Sequence, residues 1–432
     1  RRRRGEGTPP VSARWRRRVL AGAVLATLSG SAQAQPAGAT APSGAASASV
    51  TASDRYVISL LTFGPGDAIF ERYGHNAIRV QDRVTGSDLA YNWGMFSFEE
   101  PGFLRRFLSG ETRYWVAAFP SQPLIEAYRA QDRATVEQVL ALTPAQAEAL
   151  AIAVARNARP EFREYRYDYF RDNCSTRARD ALDLALGGIL RPQFTATQTA
   201  LTYRLESRRL SAPDPFAQAG IELALGPMAD LPLTAWETMF IPMRLRDYLR
   251  QVTVATPAGP VPLVAAETVH YVARRPVERA EPGGLVLGPL GPVLAMWGLL
   301  LVPLTPAMRR RSRVPAAILA GAWFTVTGLI GCLLLGMWIG SAHLFWYRNL
   351  TLLLASPVAL LVAIPAARAI LAGQAPRWVR TLLLLLVAQS MLALALWPVV
   401  AQQLGGPVLL LLGANVALVM ATVRQTTEPA SR

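Results

Sequence analysis

The second half of the chain is dominated by long apolar runs that contain few charged residues. Five runs lie near residues 284–304, 316–340, 350–367, 381–401 and 407–423. Each is close to the roughly 20 residues that a helix needs to cross the hydrocarbon core of a bilayer. The third run contains Pro357 and Pro365, which membrane helices tolerate when neighbours satisfy the freed backbone groups. Residues 284–423 are therefore predicted to form an all-α bundle of about five transmembrane helices, followed by a cytoplasmic tail at 424–432.

The first 53 residues follow a different pattern. Arginines at positions 16–18 precede the apolar run VLAGAVLATLSG and the small residues Ala32 and Ala34. This order is typical of a secretory signal peptide, and the apolar run is too short for a membrane span. Residues 1–34 are predicted to be a signal peptide that is cleaved after Ala34. The Ala-, Ser-, Thr- and Pro-rich residues 35–53 are predicted to be a flexible linker.

Residues 54–283 mix strand-like and helix-like patterns, which predicts an α+β domain. The segments YVISLLTF, HNAIRVQD and LAYNWGMFSF are rich in β-branched and aromatic residues and read as strands, with a turn at RVTGSD between the last two. A helix is predicted over residues 143–157, with Thr143 as its N-cap and Gln146 at the capping-box position.

A second helix is predicted over residues 174–186, and one of the two cysteines of the chain stands at its first position. Asp172 or Asn173 is expected to cap this helix, and a Gly-Gly pair is expected to end it. Its apolar stripe consists of Ala178, Ala181, Leu182 and Ala185. Cys174 lies at the end of this stripe, so it is expected where a packed helix meets open space.

Arginine placement orients the predicted spans. Arginines cluster between the first and second runs, between the third and fourth, and after the fifth, whereas the other two loops contain only Arg348. Arginine-rich loops stay in the cytoplasm, so residues 35–283 are predicted to be periplasmic and the bundle to lie in a bacterial inner membrane. The net charge of +15 comes from the two ends of the chain. It therefore reflects topology and is no evidence for nucleic-acid binding.

The two cysteines are not expected to pair, because Cys332 lies in the middle of the second apolar run. A helix N-terminus stabilises a thiolate, and a histidine can accept the thiol proton. His75 lies in the segment FERYGHNAIRV, where polar and apolar positions alternate as in a half-buried strand, and it falls on the polar side of that strand. Gly74, directly before it, permits close backbone approach. His270 lacks comparable surroundings. A structural cysteine and a satisfied surface histidine remain open alternatives, since spacing in sequence cannot pair Cys174 with His75.

Several short blocks carry a family resemblance. The segments YGHNAIRV, YNWGMFSF, FLRRFLSGETRYWV and YRYDYFRDNCSTRARDAL, in this order, resemble the periplasmic domain of Lnb-type lipoprotein N-acyltransferases. GIELALGPMADLPLTAWETMFIPMRL and HLFWYRNLTLLLASP are also similar to this family. The resemblance covers about residues 55–250, with a weaker echo at 343–357. It implies a papain-like, circularly permuted NlpC/P60-like α+β fold, with the histidine strand before the cysteine helix.

The resemblance also implies the chemistry. Cys174 is the expected nucleophile and His75 its base, and the reaction is acyl transfer from a membrane lipid, through a thioester, to the N-terminal amine of a diacylglyceryl lipoprotein. The backbone N–H groups of Cys174 and Ser175 are candidates for the oxyanion site. Asn92, on the neighbouring strand, is the candidate for orienting His75.

Three further residues are candidates for binding substrate. Arg79 shares a strand face with His75 and is a candidate for a lipid headgroup, although it also fits a solvated strand arginine. His343 and Asn349 lie in the outward loop after the second run, where Trp346 and Tyr347 read as interfacial anchors. No metal cluster or phosphate-binding loop is visible in the sequence, so no cofactor is expected.

The expected partners are membrane phospholipids and lipid-anchored lipoproteins, with no nucleic acid. Two other functions remain open: an NlpC/P60-like cell-wall peptidase or amidase, and a non-enzymatic membrane scaffold in which Cys174 is merely buried. The number of predicted spans favours an enzyme that acts on lipids, because a wall hydrolase needs only one anchor.

Overall fold

The computed structural model describes residues 55–256, 259–276, 306–403 and 411–426. The predicted signal peptide, the whole of the predicted linker and the first apolar run lie outside these residues. An α+β domain precedes a helical region, so the predicted fold class is confirmed.

The strands of the α+β domain are β1 Tyr56–Phe63, β2 His75–Asp82, β3 Asp88–Met95, β4 Arg113–Pro120, β5 Thr135–Leu140, β6 Glu164–Arg166, β7 Thr253–Thr256, β8 Gly259–Pro262 and β9 Val264–Tyr271. Seven of them form a central antiparallel sheet, with the strand order β6-β4-β3-β2-β1-β5-β9. The other two, β7 and β8, form a separate hairpin.

Nine α-helices are described between or beside these strands. They are α1 Phe103–Ser109, α2 Ser121–Ala130, α3 Pro144–Asn157, α4 Cys174–Ala185, α5 Leu190–Thr195, α6 Tyr203–Ser211, α7 Pro215–Ala224, α8 Ala235–Thr238 and α9 Pro242–Leu249.

Helices cover both faces of the sheet. On one face, Ile78 and Val80 of β2 pack with Ala178 and Leu182 of α4 in the main core, which α3 also joins through Leu150. On the other face, a smaller core consists of Leu61, Phe63, Ala77, Ala90, Leu124, Ile125 and Tyr128, the last three from α2. The side chains of β2 therefore alternate between two buried layers, as a strand period of two requires.

Both predicted helix starts are confirmed. Thr143 caps α3, and its side chain and that of Gln146 satisfy each other's backbone N–H groups. Asn173, and not Asp172, caps α4, which begins at Cys174.

The helical region contains α10 Pro306–Gly340, α11 Thr351–Leu354, α12 Val358–Ala372, α13 Arg377–Leu396 and α14 Gly413–Thr426. Among the described residues, three stretches are long and apolar enough to cross a membrane: Arg313–Gly340, Thr351–Ala372 and Arg377–Leu396. They correspond to the second, third and fourth predicted runs. The fifth run is helical from residue 413 onward, and its start lies outside the described residues.

The two prolines of the third run behave differently. Pro365 lies inside α12, whereas the helix is interrupted between Leu354 and Val358, at Pro357. The chain packs closely against α10 at this break, because a Cβ on Gly331 would stand 2.4 Å from the carbonyl oxygen of Ala355. A glycine is therefore needed there.

The loop after α10 packs against the α+β domain. Phe345 is buried against the rings of Phe170 and Tyr203, at centroid distances of 4.6 and 5.1 Å. The backbone N–H of Gly226 donates to the carbonyl oxygen of Phe345 at 2.7 Å. The loop and the α+β domain therefore lie on the same side of the predicted bilayer, as arginine placement predicts.

One end of the sheet lies near this loop. β2 begins at His75, and antiparallel pairing places the end of β3 and the start of β4 at the same end. Gly110, shortly before β4, approaches the backbone of Ala342 so closely that a Cβ on it would be 3.0 Å away. The turn between β2 and β3 lies at the opposite end.

Candidate active site

Cys174 is held at the first position of α4 by an extensive cap. The Asn173 side-chain oxygen accepts hydrogen bonds from the backbone N–H groups of Ser175 and Thr176, both at 2.9 Å. Its amide nitrogen donates to the carbonyl oxygens of Tyr169 and Phe240, at 2.9 and 3.0 Å. The polar neighbours of Cys174 therefore fix the helix start.

The expectation that Cys174 meets open space is wrong, because its residue is only 7 % exposed. The chain covers it from the end of β3, where Gly94 has a φ of +88°. A Cβ on Gly94 would lie 3.3 Å from the Tyr167 ring and 3.8 Å from the Cys174 Cβ. Glycine is thus needed both for the backbone conformation and for this close approach.

His75 and Asn92 are brought together, as predicted. Ala77 of β2 pairs with Asn92 of β3, and the His75 Nε2 lies 3.0 Å from the Asn92 Oδ1. The Asn92 amide nitrogen donates to the carbonyl oxygen of Ala90 at 2.9 Å, which fixes the orientation of the amide. Nε2 must then carry the proton and donate to Asn92, which leaves the lone pair on Nδ1 as the basic site of the imidazole.

The face of β2 that carries His75 is less polar than predicted. His75 stacks on the rings of Phe63 and Tyr128, at 6.1 Å in each case. Gly74 permits this strand start, because a Cβ there would lie 2.8 Å from the carbonyl oxygen of Phe63. The predicted role of Gly74 in close backbone approach is confirmed.

The thiol and the imidazole lie on opposite faces of the sheet, because Cys174 belongs to the main core and His75 stacks on rings of the smaller core. The backbone N–H of Asn76, the residue directly after His75, lowers the pKa of Cys174 and so favours its thiolate. The pairing of β2 with β3 begins only at Ala77. Asn76 also contacts the cysteine helix through its side-chain amide, which lies 3.1 Å from the Ser175 Oγ.

Burial dominates the electrostatics of the pair. Desolvation, together with the positive charge of Arg133, lowers the pKa of His75 to about 4, against the effect of its hydrogen bond to Asn92. Desolvation also raises the pKa of Cys174, although the N–H groups of Asn76 and Ser175 and the charge of Arg133 oppose this effect. Both groups are therefore neutral at pH 7 in the resting protein.

Arg133 is a buried cation beside this site that the sequence patterns did not reveal. Its Nε donates to the carbonyl oxygen of Gly64 at 2.8 Å, and its guanidinium lies over the Tyr128 ring, 4.6 Å from the centroid. Glu71 provides a partial counter-charge at 3.7 Å. Because Tyr128 also stacks on His75, the arginine, the phenol and the imidazole form one layered group.

The candidate oxyanion donors need one correction. The Ser175 N–H already donates to the Asn173 side chain, so its hydrogen-bonding capacity is shared with the cap. The N–H groups of Cys174 and Asn76 are candidate donors, since both favour the Cys174 thiolate. Tyr165 is a further candidate, because its buried hydroxyl has no acceptor among the described residues and lies 4.0 Å from the Cβ position of Gly94.

The three predicted substrate-binding residues have structural partners. Arg79 is paired with Asp88, at 2.6 Å, and with Glu137, at 2.9 Å. Two carboxylates therefore neutralise it, and neither the headgroup role nor the solvated alternative fits. Glu137 also holds His270, at 2.7 Å.

Asn349 ties the membrane loop to α7. Its amide nitrogen donates to the carbonyl oxygens of Leu223 and Ala224, at 2.7 and 2.9 Å, and its oxygen accepts from Gln402 at 2.7 Å. These bonds satisfy the buried amide, so we assign it to the junction between the domain and the membrane helices and not to substrate.

His343 lies at the membrane end of a row of aromatic rings that leads back towards Cys174. Its Nε2 is 2.7 Å from the carbonyl oxygen of Phe107, and its ring stacks on Tyr169 at 6.0 Å and on Trp346 at 5.2 Å. Tyr169 contacts Tyr167 at 5.5 Å. His343 therefore belongs to a set of ring contacts that connects the membrane loop with Tyr167, the tyrosine beside Cys174.

Within the described part of the chain, no group of three His, Cys, Asp or Glu side chains is placed so that it could hold a metal ion.

The fold and this site define a class of protein: an α+β domain with a hydrogen-bonded His75–Asn92 pair and a buried cysteine at a helix start, joined to helices long and apolar enough to span a membrane. Two family models match the chain, the Lnb N-terminal periplasmic domain over residues 46–209 and the Lnb transmembrane domain over residues 286–428. The chain belongs to the Lnb family. No curated protein and no solved structure matches it. It is thus a membrane protein with a periplasmic domain, and its family suggests an enzyme.

Proposed function

We propose that this protein is a lipoprotein N-acyltransferase of the bacterial inner membrane. In this proposal, residues 1–34 direct export and residues 35–53 tether the periplasmic domain. The enzyme moves a fatty-acyl chain from a membrane lipid to the N-terminal amine of a diacylglyceryl lipoprotein, through a thioester on Cys174. The observation that supports the proposal is that the His75–Asn92 pair and the start of the Cys174 helix, which Ser175 joins to Asn76, lie at the same end of β2.

The first half-reaction forms the thioester. His75 Nδ1 accepts the thiol proton as the Cys174 sulfur attacks the ester carbonyl of the lipid. The negative charge on the carbonyl oxygen is held by the N–H groups of Cys174 and Asn76 and by the Tyr165 hydroxyl. The ester C–O bond then breaks, and the imidazolium gives its proton to the departing alcohol of the lysolipid.

The second half-reaction transfers the acyl group. The free amine of the lipoprotein attacks the thioester carbonyl, and His75 accepts a proton from the attacking nitrogen. The C–S bond breaks, the amide is released, and the sulfur regains a proton from the imidazolium. At neutral pH the imidazole of His75 is neutral, so its lone pair is free for this proton, but a pKa lowered to about 4 makes it a weak base in the resting protein. A developing thiolate or oxyanion beside the ring would raise this pKa during the reaction.

Electrostatics support a nucleophile that is activated only during the reaction. The positive charge of Arg133 disfavours a protonated His75 in the resting protein, but it favours a thiolate at Cys174 and an oxyanion in the same site. Burial of Cys174 also protects an unpaired thiol in an oxidising compartment from adventitious oxidation.

The test is mass spectrometry of lipoprotein N-termini in cells that lack the protein or carry variants of it. Wild type and Cys332→Ser should restore the N-terminal acyl chain, and Cys174→Ser should not. Cys332 is a matched control, since it is the other cysteine and lies in a predicted span. An acyl chain that persists with Cys174→Ser would refute the proposal.

A reconstituted assay separates transfer from hydrolysis. Purified protein in vesicles receives a phospholipid with an isotope-labelled acyl chain and a synthetic diacylated lipopeptide. The proposal expects label on the lipopeptide and, transiently, on the peptide that contains Cys174. Label that appears only as free fatty acid, or cleavage of wall peptides instead, would favour the hydrolase alternative.

A further inference from the structure

Helix α1 presents large apolar side chains to the outside. Leu104 is 67 % exposed and Leu108 is 37 % exposed, and residues four apart lie on the same side of a helix. Arg105, directly beside Leu104, is also exposed. The helix therefore combines an outward leucine pair with a positive charge, which is the pattern of helices that lie in a lipid headgroup layer.

The position of α1 identifies what covers this surface. The carbonyl oxygen of Ser109, the last residue of α1, accepts a hydrogen bond from the backbone N–H of Ala342 at 2.9 Å. The Arg166 side chain joins the carbonyl oxygens of Gly110 and Ala342, at 3.1 and 3.0 Å. Ala342 stands two residues beyond Gly340, so α1 is fastened to the point where the chain leaves a candidate span.

The length of that span sets the depth of α1. The stretch Arg313–Gly340 contains 28 residues, which at 1.5 Å per residue is about 42 Å of helix. A hydrocarbon core is only about 30 Å thick. A span of this length crosses the core even when it is tilted. Ala342, just beyond its end, and α1, held beside Ala342, therefore lie at the boundary of the hydrocarbon core.

We infer that α1 is an interfacial helix, with Leu104 and Leu108 inserted into the periplasmic leaflet and Arg105 among the lipid phosphates. This contact holds the active-site end of the sheet against the lipid surface. The inference concerns how the domain sits on the bilayer and does not depend on the proposed acyl transfer. A second protein copy is the competing occupant of the same surface.

The test places an environment-sensitive fluorophore on α1 in reconstituted vesicles of phosphatidylethanolamine and phosphatidylglycerol. Leu104→Cys and Leu108→Cys are made in a chain that carries Cys174→Ala and Cys332→Ala, and each is labelled with a nitrobenzoxadiazole group. Val84→Cys is the matched control, because Val84 is 60 % exposed. It lies in the turn between β2 and β3, roughly 25 Å along the strand from His75.

On α1 the emission should shift to shorter wavelength, and lipids with a nitroxide near the headgroup should quench it about twofold or more relative to Val84. Arg105→Glu should weaken the quenching in anionic vesicles. Quenching at both α1 positions no stronger than at Val84 would overturn the inference. A blue shift without lipid quenching would also overturn it, and would point to a second copy on this surface.

Discussion

The neutral state of the Cys174–His75 pair can be tested with the substitution Asn92→Asp. The Asn92 Oδ1 lies 3.0 Å from the His75 Nε2, so the substitution places a carboxylate against the imidazole. An opposite charge at this distance raises a histidine pKa by about 1–3 units, or about 1.4–4 kcal/mol in favour of the imidazolium. The pKa of His75, about 4 in the wild type, should therefore rise into the range of about 5 to 7.

The consequence is measured as the reactivity of the Cys174 thiol. Because burial raises the pKa of the Cys174 thiol, only a small fraction of the wild-type thiol is ionised at pH 7. The rate of alkylation by iodoacetamide should then rise about tenfold per pH unit between pH 5 and 8, without a plateau. In Asn92→Asp the nearby imidazolium should stabilise the thiolate, and the rate at pH 5–6 should exceed that of the wild type by about tenfold or more.

The assay is intact-mass spectrometry in a Cys332→Ser background. Asn157→Asp is a matched control, because the Asn157 oxygen also accepts from a ring N–H, that of Trp93 at 2.8 Å, and its amide also donates to a carbonyl. It should leave the profile unchanged. A wild-type rate that is high and independent of pH below 7 would show a standing thiolate–imidazolium pair and refute the reasoning.

Three further predictions follow from single contacts. Asn173→Asp should lower the free energy of unfolding by about 2 kcal/mol or more, although Asp caps helices as well as Asn, because the carbonyl oxygens of Tyr169 and Phe240 lose their donor; thermal unfolding of Asp214→Asn, at a cap whose side chain makes only backbone N–H contacts, should be nearly unchanged. Tyr165→Phe should leave thermal stability nearly unchanged but slow acyl transfer by about 10- to 1000-fold, and equal rates would exclude the hydroxyl as a donor. Phe345→Ala should lower the free energy of unfolding by about 3–5 kcal/mol, because it removes a buried ring. It should also increase hydrogen exchange at the start of α4, and an increase confined to the membrane loop would contradict a link between this loop and the site.

Local patterns were sufficient to predict the elements that carry the site. The strand that begins at His75 and the helix that begins at Cys174 both follow from short-range signals, namely side-chain alternation and N-cap chemistry. The pairing of His75 with Asn92 required only that consecutive strands form a hairpin. These features depend on residues close together in the chain.

The misjudged features depend on residues far apart in the chain. Cys174 appeared exposed because its neighbours are polar, yet the cover comes from Gly94 and the tyrosines beside it. Arg79 seemed available because Glu137, its second partner, comes from β5, which is not the neighbour of β2 in the sheet. Arg133 was not predicted as part of the site, because an arginine that follows a turn is usually exposed and nothing in the local sequence indicates that this one is buried.

The cap of α4 connects the site to the membrane. Asn173 donates to the carbonyl oxygen of Phe240, and the Phe240 ring packs on Phe170 at 5.4 Å. Phe170 in turn contacts Phe345 of the loop after α10 at 4.6 Å. The cap that fixes the start of the Cys174 helix is therefore held by a continuous set of contacts that reaches the loop after α10. A periplasmic domain cut away from its spans would lose Phe345 from this set, so the position of Cys174 and the attachment to the membrane helices are parts of one structure.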